Sequence, residues 1–365
     1  MKSLLVRVIG IIVAAVLAVA PAHSAEVSPT YRPFLGQWSP EVQYWFSSAF
    51  AIYKRSFIKA DGRVYDPQNG GITHSESQGY GMLLALLADD KETFGKVFGF
   101  AKRVLQRSDR MFAWKFVPGR GTPDRNNATD GELLIATALS LASMRWNDAR
   151  YAAEAAAIAD VVGRKLIIEQ GDYTLLLPGE WGKPERKGSV ATINLSYFIP
   201  MTLPVMNALA PKYPWRKVYD DSVRMLDGLI HPPSEWSNVN LYGETVPARG
   251  FPPEFSYNAI RIPLYLLQVG EYNATVNRFL YEAWGPRSDK NPFTFDVTTF
   301  RSGDRFWDSA YDFLYDLMVC AQRGTPVPLE SYSMKMDNYY ASSIHLFAIA
   351  AMYAHYPNCA AGLGE

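Results

Sequence analysis

The sequence predicts an all-α fold in a single domain, with a few short strands confined to loops. Three observations predict it. Apolar residues recur at helical spacing along most of the chain, no strand–helix–strand rhythm signals a parallel sheet, and no Gly/Ser linker or low-complexity stretch divides the sequence. Composition agrees: 365 residues, 48% hydrophobic and 20% charged, with 36 Lys and Arg against 36 Asp and Glu. Such a chain is neither disordered nor a disulfide scaffold, and its zero net charge without a basic run argues against a nucleic-acid binder. The unusual figure is the aromatic content, 9 Trp, 22 Tyr and 19 Phe. Aromatic faces serve large cores and sugar platforms alike.

Residues 1–24, MKSLLVRVIGIIVAAVLAVAPAHS, open with Lys2 and Arg7, pass through the apolar run Val8 to Ala20 and end in small residues. With Ala22 and Ser24 at the −3 and −1 positions this is the pattern of a secretory signal peptide. A membrane anchor needs about 20 apolar residues, more than this run supplies. Cleavage leaves 34 basic against 36 acidic residues and a mature domain, 25–365, expected to be secreted or periplasmic.

Within that domain, helices are expected over 41–58, 78–90, 92–107, 131–145, 150–167, 193–209, 217–229, 258–268, 274–283, 307–322 and 338–354. In 131–145, for example, Leu134, Ala138, Leu141 and Ala142 fall on one face. The best strand candidates are Arg63 to Tyr65 and Tyr173 to Leu177. Two long irregular segments, 115–130 and 229–255, precede helices, where binding residues usually sit. Export makes Cys320 and Cys359 candidates for a disulfide; two free buried thiols are the equal alternative. The histidines are scattered and there is no C-x-x-C, so neither a metal nor a cofactor is expected.

Two acids stand at helix entrances. In Gly71 to Asp90, Ser75 and Gln78 have capping-box spacing, which makes Ser75 the N-cap and Glu76 the first helical residue. Glu76 could simply complement the helix dipole. Gly79-Tyr80-Gly81, however, costs helix stability, and close approach of another backbone or a ligand would explain it. In Asn126 to Trp146, Thr129 or Asp130 would cap the helix and Asp130 should stay ionised. Together the two acids suggest the carboxylate pair that glycoside hydrolysis requires. Arg261, in the first turns of a third helix, is oddly placed for a surface cation and suits a buried Arg that reaches a carboxylate or sugar hydroxyls.

These segments resemble glycoside hydrolase family 8, particularly the endoglucanases encoded beside bacterial cellulose synthases. Ser75-Glu76-Ser77-Gln78-Gly79-Tyr80-Gly81-Met82 is similar to the family's Ser-Glu-x-Gln-x-Tyr-Gly-Met segment. Ala128-Thr129-Asp130-Gly131-Glu132 and the apolar helix after it resemble the family signature. Ser256-Tyr257-Asn258-Ala259-Ile260-Arg261 resembles Ser-Tyr-Asp-Ala-x-Arg, with weaker echoes at Leu177-Pro178-Gly179, Asn194-x-Ser196-Tyr197 and Asn338-Tyr339-Tyr340. The resemblance implies an (α/α)6 barrel without a cofactor that cleaves a β-1,4-glucan with inversion. A monomer is expected, and the resemblance implies a place beside a cellulose synthase complex. Glu76 would be the general acid and Asp130 the ionised carboxylate of the central subsite. Arg261 and Tyr257 would hold the site together, and Trp114, Tyr197 and Tyr339 or Tyr340 would be sugar platforms.

Two positions depart from the family pattern. Asn258 stands where the family's cellulases usually carry their Asp base, and an amide cannot take a proton from water. Glu132 replaces the signature's second Asp. The base would then be Asp130, Glu254 or an acid of 295–312 such as Asp304. An acid in the first turn of a helix should have a lowered pKa, so Glu76 needs a desolvated cleft and the like charge of Asp130 to stay protonated. Neutral charge and aromatic richness fit an uncharged polymer better than chitosan, while xylan and mixed-linkage glucan stay open. The alternative from another class is a glucan-binding protein that has lost hydrolysis.

Overall fold

The computed structural model describes residues 38–186, 189–285 and 292–360; the signal peptide expected at 1–24 lies outside the described residues. Eleven α-helices form among them: α1 (Pro40–Phe57), α2 (Ser75–Leu87), α3 (Lys91–Phe100), α4 (Thr129–Trp146), α5 (Ala149–Leu166), α6 (Leu203–Leu209), α7 (Trp215–Asp227), α8 (Arg261–Leu267), α9 (Ala274–Trp284), α10 (Ser309–Arg323) and α11 (Tyr339–His355). Helices α2, α8 and α11 are buried on nearly every side, as helices of an inner ring must be. Helices α5, α7 and α9 instead bury one stripe, such as Val276, Phe279 and Leu280 of α9, and turn their polar faces outward. Helix α2 packs along α4, α4 against α5, and α11 against α8, α2 and α1, which closes the ring into the (α/α)6 barrel.

Ten strands of two to four residues sit in the connections among the described residues. They form β1 (Thr73–His74) with β2 (Lys115–Phe116), and β3 (Ile167–Gln170) with β4 (Tyr173–Leu176). They also form β5 (Ala191–Ile193) with β6 (Ser237–Val239) and β7 (Thr245–Pro247), and β8 (Glu254–Phe255) with β9 (Phe293–Asp296) and β10 (Ser302–Arg305). All pairs are antiparallel, with His74 opposite Lys115 and Phe255 opposite Phe295. The strand expected at Arg63 to Tyr65 is only an isolated bridge between Ile58 and Val64, whereas Tyr173 to Leu176 is a strand.

The expected helix 193–209 is corrected. Only Leu203–Leu209 is α-helical; Ala191–Ile193 is a strand and Leu195–Tyr197 a single 3-10 turn. Pro200 and Pro204 explain the break, because each lacks an N–H and crowds the turn before it. The stretch 92–107 leaves α-geometry at Ala101–Leu105, where it widens into a π-turn.

The caps divide the helices into two groups. Asp90, Asp148, Asn273, Asp308 and Asn338 each accept a first-turn N–H in the way expected of N-cap residues. The capping expected at Ser75 and at Thr129 or Asp130 is corrected. The N-cap residues are His74 and Ala128, and Ser77, not Gln78, accepts the His74 N–H at 3.0 Å. Gln78 instead ties the preceding loop, accepting from Val64 N and donating to the carbonyls of Gly62 and Val97.

The glycines of these two helices serve helix approach. A Cβ at Gly79 would lie 2.6 Å from Leu134 Cβ, and one at Gly131 would lie 2.6 Å from Ser75 Cβ and 3.0 Å from its carbonyl carbon. The entrances of α2 and α4 therefore touch backbone to side chain. Gly131→Ala is expected to cost about 1–3 kcal/mol through overpacking, because the two entrances must part. Urea unfolding checks it.

Cys320 and Cys359 are joined in a disulfide, both buried, linking α10 to the turn after α11. The bridge spans a separation of 39 residues. Constraint of a loop that long in the unfolded chain is worth about 4 kcal/mol. Cys320→Ser is expected to lower the unfolding midpoint by a matching amount, and dithiothreitol to reproduce the loss in the parent but not in the variant.

Candidate active site

Three helix entrances meet at one guanidinium. Arg261, the first residue of α8, is fully buried and donates from Nη1 to Glu76 Oε2 at 2.6 Å and to Asp130 Oδ2 at 3.0 Å. Its Nη2 donates to Ser196 Oγ at 2.8 Å and to Asn258 Oδ1 at 2.7 Å, and Nε reaches the Asn258 carbonyl at 3.3 Å. The expectation of a carboxylate partner for this Arg is met by two. Asp130 also accepts the N–H of Gly131 at 2.8 Å, and Ser196 is held in turn by Asn194. An Arg with four side-chain partners from four chain segments fixes the relative positions of all of them.

Burial acts on both acids in the same direction. Burial pushes the Glu76 carboxyl up to about 7; Arg261 pulls it back, and the Asp130 charge pushes it up again. Asp130 is also raised by burial, against Arg261 and the Gly131 N–H. Desolvation thus outweighs the helix entrance at Glu76, and the like charge of Asp130 acts in the sense its role as acid requires. Glu76 Oε1 is buried and has no hydrogen-bond partner of ordinary geometry among the described residues, and its carboxyl lies close enough to Asp130 for each acid to act on the other.

These groups line a cleft of about 880 Å³. Of the sequence candidates, Glu76, Asp130, Asn258, Arg261, Tyr257, Trp114, Tyr197, Tyr339 and Tyr340 all border it. Trp114 donates from Nε1 to Asp124 at 2.7 Å and stacks on His74, with ring centroids 5.8 Å apart. Tyr340 donates its hydroxyl to the Tyr257 carbonyl, and Tyr257 stands on the rim, 48% exposed. Tyr339 and Tyr197 are nearly enclosed, the latter with the Arg261 guanidinium 5.5 Å from its ring centre.

Three of the acids considered from the sequence lie off the cleft wall. Glu254 is on β8, opposite Asp296, and Glu132 is enclosed, accepting from the Phe112 N–H at 2.9 Å and from Asn127. Burial raises Glu132 to about 8. Asp304 is exposed on β10, and its charge acts on Tyr257.

The structure adds residues that the sequence pattern does not single out. Trp181, Trp236 and Phe251 form an aromatic wall with centroids 5.1 and 5.2 Å apart, continued by Tyr197 at 6.1 Å from Trp236. Trp181 and Phe251 are 42% and 37% exposed, costly for large rings unless something else covers them. The available signal was an aromatic residue among turn formers, as in Pro-Gly-Glu-Trp-Gly at 178–182. His74 and Glu235 were also missed.

A helical barrel whose cleft sets a buried acid of raised pKa beside a second carboxyl, between aromatic walls, has the parts of a glycoside hydrolase. The family model described as Glycosyl hydrolases family 8 matches residues 35–352, and the chain belongs to that family. It is 39% identical over 224 residues to a "Probable endoglucanase" of Novacetimonas hansenii, a match covering 59% of this chain and 65% of that protein. It is 34% identical over 250 residues to an "Endoglucanase" of Cellulomonas uda, covering 66% of this chain and 68% of the relative. Among solved structures, an endo-beta-1,4-glucanase from Acetobacter xylinum superposes with a TM-score of 0.74 at 32% identity, covering 84% of this chain and 97% of that one.

Proposed function

We propose that the protein is an exported endo-β-1,4-glucanase that hydrolyses internal bonds of cellulose-type chains with inversion. The observation that carries the reading is Glu76, an acid of raised pKa that lines the cleft beside Asp130 and Arg261. Sugar faces rest on Trp114 and on the Trp181–Trp236 wall, where apolar C–H groups meet aromatic rings. Glu76 gives its proton to the glycosidic oxygen as the bond to C1 breaks. Asp130, held by Arg261 and the Gly131 N–H, faces the positive charge that grows on the ring. Water attacks C1 from the opposite side, and its proton passes to a carboxylate. Solvent then returns a proton to Glu76.

Asp130 is a poor choice for that last carboxylate. The two acids meet at one Arg261 nitrogen through contacts of 2.6 and 3.0 Å, which leaves no room for the separation of about 6.5–9.5 Å that an inverting pair needs. The base in our reading is therefore an acid outside this pair, and of those expected from the sequence we take Asp304, which stands outside the cleft lining with its charge acting on Tyr257 at the rim. The pattern of residues 1–24 supports export, as does the buried disulfide, which suits an oxidising compartment. In our reading the protein acts as a monomer. The resemblance to enzymes encoded beside cellulose synthases supports a role in the cell's own cellulose production.

The test is hydrolysis of carboxymethyl cellulose, followed by viscosity and reducing ends, with xylan, chitosan and mixed-linkage glucan in parallel. A viscosity fall well ahead of reducing-end release, with the α-anomer formed first by NMR, is expected. Initial β-anomer would overturn inversion. Cellulose binding without turnover would make the protein a binding module. Asp304→Asn is expected to lose about 10²–10⁴ in kcat with KM little changed.

A further inference from the structure

Glu235 is a buried acid that the mechanism above does not use. It lies just before β6, is 8% exposed, and its carboxylate accepts four hydrogen bonds. Oε1 takes the backbone N–H groups of Ser256, Asn258 and Ala259 at 3.0, 2.8 and 2.9 Å, and Oε2 takes Asn258 Nδ2 at 2.5 Å. One side chain therefore closes the turn that delivers α8, and it accepts without donating, as an ionised carboxylate does. Burial pushes its carboxyl up, opposed by the Ala259 N–H, the Asn258 amide and the Arg261 charge.

The orientation of Asn258 follows. Its amide nitrogen faces Glu235 and its oxygen accepts from Arg261 Nη2 at 2.7 Å. Turning the amide over would set NH₂ against the guanidinium and oxygen against the carboxylate, so one orientation alone satisfies both neighbours. Asn258 borders the cleft while Glu235 stands behind it, outside the lining. A line of contacts runs from Glu235 through Asn258 to Arg261, and from there to Glu76 and Asp130.

We propose that Glu235 is a positioning residue of the hydrolytic site and the reason position 258 carries an amide. With a carboxylate fixed behind it, an acid at 258 would meet a like charge at hydrogen-bond distance and would pull Arg261 away from Glu76 and Asp130. The catalytic part of this inference rests on the glucanase reading; the pairing of 235 with 258 does not.

The experiment is a double-mutant cycle on the full chain: Glu235→Gln, Asn258→Asp and the two together. It is read by kcat and KM on carboxymethyl cellulose and by thermal unfolding from acid to neutral pH. Asn258→Asp alone is expected to lose at least about tenfold in kcat, with KM little changed. Its melting deficit should widen as pH rises. A pair of adjacent acids has one folded pKa above its unfolded value, so its stability is present at low pH and is lost as pH climbs through that pKa. The other charges facing the pair are Arg261 on α8 and, through it, Glu76 on α2 and Asp130 on α4; the parent and Glu235→Gln proteins, which keep the amide at 258, give the reference at each pH.

In the double variant the amide introduced at 235 can donate to the carboxylate introduced at 258, which restores a complementary pair. Its kcat should exceed that of Asn258→Asp, and its melting deficit should no longer depend on pH. Losses that simply multiply in the double variant, or an Asn258→Asp protein that melts like the parent at every pH, would overturn the proposal. A parent protein that hydrolyses no glucan would defeat the glucanase reading, and the melting cycle would still decide the pairing.

Discussion

Glu76→Gln is expected to abolish about three orders of magnitude of hydrolysis while cellulose binding survives. The amide keeps the shape and a hydrogen bond but has no proton to give. Partial loss is not anticipated, because no other acid among the described residues shares its position: Asp130 is committed to Arg261 and Gly131, and Glu132 is walled off against Phe112 and Asn127. The pH profile supplies a second check. With the acid raised to about 7, kcat/KM should fall as pH rises through that value, because only the protonated form works. The same group contributes to stability in a defined window. Its folded pKa lies above its unfolded one, so the contribution is present under acid conditions and is lost as pH rises through about 7. Both the alkaline limb and this part of the stability profile should disappear in the Gln variant.

Arg261→Ala is expected to be the most damaging single change to the fold near the site. It strands Glu76 and Asp130 in a buried place without their cation, a situation that costs about 3–5 kcal/mol. The remaining acids would be driven further towards their neutral forms, since Arg261 lowers both. The deficit should therefore be largest at neutral pH and shrink in acid, where two carboxylic acids need no partner. Urea unfolding at two pH values measures this. Arg261→Lys should rescue little, because a single ammonium cannot span Glu76, Asp130, Ser196 and Asn258 as the planar guanidinium does. A Lys variant with parental kinetics would show that charge alone suffices.

Much of this architecture is legible because its signals are local. The helix expected at 131–145 appears as Thr129–Trp146, and that expected at 338–354 as Tyr339–His355. Where expectation and structure part, distant partners decide the outcome. Ala191–Ile193 is a strand by pairing with Ser237–Val239, a segment whose sequence carries no strong strand pattern of its own. Pro200 and Pro204 are visible warnings within the helix expected at 193–209. The glycines of the Gly79-Tyr80-Gly81 run mark a close approach, and the approaching body at Gly79 proves to be α4.

The site divides in the same way. Glu76, Asp130 and Arg261 are conspicuous because each is a charge at the start of an apolar helix. Their meeting at a single nitrogen is a three-dimensional fact that no spacing encodes. Glu235 leaves no such mark. In His-Pro-Pro-Ser-Glu-Trp it reads as one more loop acid, and its importance comes from backbone N–H groups more than twenty residues further along.

A ring of helices has a seam, the place where its first and last members meet. Here it lies between α1 and α11, and the disulfide rivets α10 to the turn that follows α11. Without the rivet the final helix could peel from that edge one turn at a time, and with it would go Tyr339 and Tyr340 from the cleft wall. With it, opening the seam means lifting two helices at once. The bridge thus acts as a clasp on the whole hoop: an intact chain should resist a protease that trims inward from its carboxyl end, and a reduced one should be shortened as far as α11.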